Sequence, residues 1–232
     1  MKKKNIIYLV LIINLFSFSY ISFSQENKYF DLKKLKDIKL NHWSYKSLQR
    51  IVEDLGIMSP KENNLFKGDD LATRYEVAEA FYRAARTMEI ASNLDLRLKD
   101  IIKSIDIVDL DDKYKDLVNI LINEYGLMLV LEGNKFYGKR KITRYELAYE
   151  LNNYLNLLQR VVKSKDKNPI NKAEQFIDLK NDHWASEAVK NIVNKYQLMK
   201  GYPDNTFKGD NTLTRYELAS VLYKFIEYVI NI

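Results

Sequence analysis

Three arginines stand in one repeated tetrapeptide. Thr-Arg-Tyr-Glu occurs at 73–76, 143–146 and 214–217, and the arginines are 70 and 71 residues apart. Thr-x-x-Glu ahead of an apolar run is a capping box. The hydroxyls of Thr73, Thr143 and Thr214 accept from backbone N–H groups three residues on, and Glu76, Glu146 and Glu217 reach back. That chemistry leaves Arg74, Arg144 and Arg215 unexplained. Each falls at the first helical position, where the positive end of the macrodipole disfavours a cation by roughly 0.3–1 kcal/mol. Each therefore needs an anion. One source is a carboxylate of the same repeat (Asp37, Asp109 or Asp178). The other is an external acid, since free helix N–H groups beside a guanidinium fork form a ready carboxylate site.

Aromatic residues supply the second constellation. Trp43 follows His42 and Trp184 follows His183 at matching positions. Each indole can pack inward with its N–H satisfied, or offer a flat face to a sugar ring. The two histidines have no second ligand at metal spacing and read as local hydrogen-bonding residues. Asp204, Asn205, Asp210 and Asn211 lack the full calcium-loop pattern. No nucleophile–base arrangement repeats, so neither a metal, a cofactor nor an enzymatic activity is expected. A wall hydrolase working through two isolated carboxylates is the remote exception.

The elements that must position these residues repeat with them. A phenylalanine (Phe66, Phe136, Phe207) precedes each arginine by eight residues, and a glycine (Gly68, Gly138, Gly209) follows two on. Identity at this spacing marks a threefold internal repeat. Each copy reads as helix, polar loop, helix, with no sustained period-2 run, so the fold class is mainly α. The expected division is a signal peptide at 1–24, a lead at 25–34 and repeat one at 35–86. A helical connector with a break at Asn93 or Asp95 fills 87–104. A degenerate repeat two spans 105–163, a charged linker 164–175 and repeat three 176–232. Two helices cannot bury a core alone, so the three units should pack as one body.

Lys2, Lys3 and Lys4 ahead of the apolar stretch 6–16, with Ser22 and Ser24 flanking a cut before Gln25, give the pattern of a secretory signal. The alternative is an uncleaved anchor over 6–23; no transmembrane segment is expected in the mature chain. Cleavage lowers the net charge from +6 to +3. The charges are interspersed, which suits an acidic glycan and does not suggest nucleic acid. The absence of cysteine excludes disulfides in an exported chain.

These residues together resemble the S-layer homology family. Repeat three carries Phe176, Asp178, His183-Trp184-Ala185, Leu198-Met199, Gly201-Tyr202-Pro203-Asp204, Phe207 and Leu213-Thr214-Arg215-Tyr216-Glu217. Repeat one keeps Asp37, His42-Trp43, Gly56-Ile57-Met58 and Phe66; repeat two keeps Asp109, Gly126-Leu127-Met128 and Phe136 but has Lys113 in the tryptophan position. The resemblance implies three repeats in a pseudo-threefold unit around a central helical bundle. It implies non-covalent binding of cell-wall polysaccharide or modified peptidoglycan in grooves between repeats. Arg74, Arg144 and Arg215 would then meet an acidic sugar substituent, while Trp43, Trp184, Gly201, Tyr202 and Asp204 would line grooves. An exported envelope anchor or brace follows, on the cell surface or in a periplasm. A helical scaffold with decayed grooves, binding another envelope protein, is the alternative. Tyr75, Tyr145 and Tyr216 replace the family's small alanine and could narrow a groove or stack on sugar. The groove lined by repeat three is expected to be the most competent, with Arg215 as its cation.

Overall fold

In a computed structural model the described residues are 29–98, 104–162 and 174–231. The signal, the linker core and part of the connector lie outside them. Six α-helices and isolated β-bridges, but no strands, occur among the described residues. None of the helices is long and apolar enough to cross a membrane.

The first unit contains α1 (Tyr45–Leu48), running on as a π-helical turn (Gln49–Asp54), and α2 (Arg74–Ser92). The second contains α3 (Asp112–Asn123) and α4 (Arg144–Val162). The third contains α5 (Ser186–Lys190), continued by a π-helical turn (Asn191–Lys195), and α6 (Arg215–Ile230). Thr73 and Thr214 close capping boxes with Glu76 and Glu217. Thr143 and Glu146 make the same reciprocal bonds. α2 ends at Asn93, which is left-handed at φ 52°, where asparagine tolerates the conformation.

The same device shapes each loop. The carboxylates of Asp37, Asp109 and Asp178 each accept from two consecutive backbone N–H groups, those of Phe66 and Lys67, Phe136 and Tyr137, and Phe207 and Lys208. In every case the second residue has positive φ. A carboxylate bound to two N–H groups stabilises a backbone that would otherwise be strained. The phenylalanine before it is wholly buried.

The units interlock in order. α2 packs on α3, α4 on α5, and α6 on α1. Arg74 N–H donates to Arg140 C=O, Arg144 N–H to Asn211 C=O, and Arg215 N–H back to Asp70 C=O, at 2.9–3.0 Å. The tyrosines of the motif make the adjacent bonds, Tyr75 to Gly138, Tyr145 to Gly209 and Tyr216 to Gly68. Their rings lie so close to those glycines that an added Cβ would fall 2.0–2.1 Å from ring carbon. Only glycine fits there. The three long helices meet at buried Tyr154 of α4, whose ring is 5.2 Å from Phe81 of α2 and 4.9 Å from Phe225 of α6. Burying rings of this size contributes roughly 1.5–3 kcal/mol each.

Candidate functional site

The arginines answer their need for an anion across unit boundaries. The same-repeat aspartates are not their partners, because those carboxylates are spent on loop N–H groups. Arg74 donates through Nε to Phe136 C=O at 2.8 Å, through Nη2 to Leu129 C=O and through Nη1 to Glu146 at 3.3 Å. Arg215 repeats this against the first unit, with Phe66 C=O, Ser59 C=O and Glu76. Lys61 joins Glu76, and Arg140 joins Glu146. Burial raises the pKa of Glu76, but Arg215 and Lys61 pull it below the ordinary value. These two interfaces are electrically closed, and their arginines are 0% and 2% exposed.

Arg144 is different. Its Nε donates to Phe207 C=O at 2.9 Å and its Nη2 to Lys200 C=O at 2.7 Å. Among the described residues, no carboxylate lies within ion-pair distance of it and its Nη1 makes no hydrogen bond. Glu217, equivalent to Glu76 and Glu146, is likewise without an ion pair among the described residues. The Arg144 guanidinium lies 4.6 Å from the Phe207 ring centroid and 5.0 Å from that of Tyr202. Burial lowers its pKa, yet a guanidinium remains the cation at any physiological pH.

Both tryptophans lie at the surface. Trp43 is 63% exposed and Trp184 53%, so inward packing is corrected by the structure. Trp184 meets Tyr149 edge-on at 5.5 Å and Tyr145 at 6.2 Å, both on α4. The sequence reading missed Tyr149, although its position four residues after Tyr145 on the same helix could have placed it. Trp43 sits 6.0 Å from Tyr216. Tyr145 and Tyr216 pack against His183 and His42 at 4.4 Å, tilted by 38°. Tyr75, which has no histidine above it, stacks instead on Tyr114 at 4.0 Å and 12°. The residue after Lys113 thus fills the vacancy in the second unit. All three motif tyrosines are buried. They glue units together and offer no face to a sugar.

The loop of the third unit divides its labour. Gly201 is backed by the Phe176 ring, 2.1 Å from where a Cβ would stand. Tyr202 spans Arg144 on one side and Lys208, 4.4 Å from its centroid, on the other. Asp204 is exposed and locally engaged. Thr206 and Lys208 hold its pKa down to about 2, with the Thr206 hydrogen bond the largest cause. The cation facing this loop is Arg144, not Arg215, because each arginine grips the unit after its own. Trp184, Tyr202 and Arg144 therefore belong to one interface, between units two and three. Trp43 and Arg215 belong to another, while Arg74 sits in the third.

Comparison with known proteins fits this geometry. The S-layer homology domain matches residues 34–78 and 175–219. Stretches of the first and third units are thus similar to the S-layer homology domain. The middle unit is not matched, although it keeps the aspartate clamp, the cap and the arginine grip. A cellulosome-anchoring protein of Acetivibrio thermocellus is 41% identical over 95 residues, 41% of this chain and 20% of that protein. Cell surface glycoprotein 1 of the same organism is 34% identical over 94 residues, 40% of this chain and 4% of its own length. Outer membrane protein SlpA of Thermus thermophilus is 40% identical over 55 residues, 24% of this chain and 6% of that protein. The chain thus covers a fifth or less of these relatives.

Proposed function

We propose that the protein is an exported, non-enzymatic anchor of the cell envelope. It holds an acidic cell-wall polymer, polysaccharide or peptidoglycan, in the groove between units two and three. The three units form a pseudo-threefold body around a bundle of α2, α4 and α6, and the middle unit is a divergent third repeat. One observation carries the assignment. Of the three motif arginines, Arg144 alone has no carboxylate within ion-pair distance among the described residues, and the exposed Trp184 packs against Tyr145, the next residue along α4, and Tyr149. A desolvated guanidinium matches a ligand carboxylate bidentately, and an exposed indole provides a platform for a sugar ring. The anchoring and envelope names of the relatives support the same reading.

The closed interfaces support a second reading for the other two arginines. Arg74 and Arg215 act as internal latches, so those grooves are structural. Co-sedimentation with wall sacculi, competed by protein-free wall polymer, tests both. Arg144→Ala and Trp184→Ala should each abolish saturable, competed binding; Trp184→Ala does so with the thermal midpoint preserved, since the ring is half in solvent. Unchanged binding in Trp184→Ala, or absence of competed binding by the unaltered protein, would defeat the proposal.

A further inference from the structure

The edge of the first unit differs from its counterparts in charge. Between 33 and 46 lie Lys33, Lys34, Lys36, Lys39 and Lys46, against the single acid Asp37. All five lysines are exposed. The Asp37 carboxylate is already spent on the N–H groups of Phe66 and Lys67. The aligned stretch of the third unit, 174–187, holds four acids and one lysine; that of the second, 105–117, holds five aspartates and two lysines. Glu174 stands where Lys33 does, and Glu187 where Lys46 does. One edge of the molecule is therefore basic and the other two are acidic.

The basic edge is also apolar at its tip. Leu40 is 74% exposed, and Trp43 lies three residues on. Asn181 occupies the position of Leu40 in the third unit. The segment is held as a tight turn by His42 N–H to Lys39 C=O and Tyr45 N–H to His42 C=O. Lys33, Lys36 and Lys39 make no ion pair among the described residues. Free lysines around a protruding leucine and tryptophan are the composition of an interfacial membrane contact. The ammonium groups meet anionic headgroups, and the amphipathic indole sits at headgroup depth. A soluble polyanion would satisfy the lysines but leave Leu40 in water.

We infer that the first unit docks on an anionic lipid surface through Lys33, Lys36, Lys39, Leu40 and Trp43. The acidic edges of the other two units turn away from that surface. This contact is independent of the glycan reading, whose groove is built by units two and three.

The test uses the full chain and sedimentation with vesicles of phosphatidylcholine alone or with a third phosphatidylglycerol. The quantity of interest is the part of binding that phosphatidylglycerol adds at low salt, because simple apolar insertion does not depend on headgroup charge. Each lysine near such a surface is worth roughly fivefold in partitioning. Lys33→Glu, Lys36→Glu and Lys39→Glu combined should remove that part by about 100-fold or more. A control with equal charge change, Lys115→Glu, Lys135→Glu and Lys180→Glu, should lower it only a few-fold. In Trp184→Phe, the fluorescence of Trp43 should be quenched by brominated phosphatidylglycerol. Equal losses in the two triple variants, or an unquenched Trp43, would overturn the inference. So would soluble polyglutamate displacing the protein from vesicles at equal charge concentration, which would assign the edge to a polymer.

Discussion

Glu150 offers a sharp test of how the second unit is held together. It lies on α4, is fully buried, and accepts from Met128 N–H at 2.9 Å and Leu129 N–H at 2.6 Å. Met128 is left-handed at φ 72°, and the C=O of Leu129 receives Arg74. Glu150 thus fixes the segment that the first unit grips. Burial pushes its carboxyl up to about 7 from 4.5, against the Leu129 and Met128 N–H groups and Arg74, which favour the anion; Glu146 nearby adds to the rise. The folded value lies above the unfolded one. The group's contribution to stability is therefore fully present below pH 4.5 and is lost as pH rises through about 7. At 1.36 kcal/mol per pH unit the loss comes to about 3 kcal/mol. Glu150→Gln cannot ionise, so urea unfolding of both proteins from pH 4 to pH 8 isolates the effect. Glu76 and Glu146, whose pKa values fall on folding, act in both proteins and largely cancel. Stability of the unaltered protein relative to the variant should fall by about 3 kcal/mol across that range and level off above it. Parallel profiles would refute the reasoning, and a rising difference would show that the N–H donors outweigh burial.

Other substitutions probe the interlock. Gly209→Ala places a methyl carbon 2.0 Å from the Tyr145 ring; thermal unfolding should show a loss of about 1–3 kcal/mol or more. Asp109→Ala orphans the N–H groups of Phe136 and Tyr137, at a cost of about 2–4 kcal/mol in denaturant unfolding, with Asp109→Asn intermediate. Tyr114→Ala should cost about 1–3 kcal/mol through the lost stack on Tyr75, while Tyr114→Phe keeps the ring and should stay within about 0.5 kcal/mol.

Much of the local structure was legible because it is written in short spacings. Thr73 and Glu76 are three residues apart, and the cap they form follows from that distance alone. The apolar stripe after each motif gave the long helices; of the two breaks expected after α2, Asn93 or Asp95, the helix ends at Asn93. The partner of Asp178 was not legible, because Phe207 N–H lies 29 residues away and any loop acid could have taken the role. The same holds for Tyr149 and Trp184, which come from different units and meet only when α4 packs on α5. The motif tyrosines were read as groove-facing because their depth depends on a glycine in the following unit.

The sequence by itself determined that the chain is a helical repeat with three capped arginines and a resemblance to the S-layer homology family; that both tryptophans lie at the surface was left to the structure. The sequence did so because periodicity, capping and repetition are properties of the chain read locally. Tertiary structure alone decided which arginine is free. Arg215 reaches Glu76 across 139 residues and Arg74 reaches Glu146 across 72, so both find a carboxylate of the next unit, while among the described residues Arg144 has none within ion-pair distance. Identical tetrapeptides acquire different roles because a guanidinium is neutralised by whatever packing brings beside it, and packing is a property of the whole body.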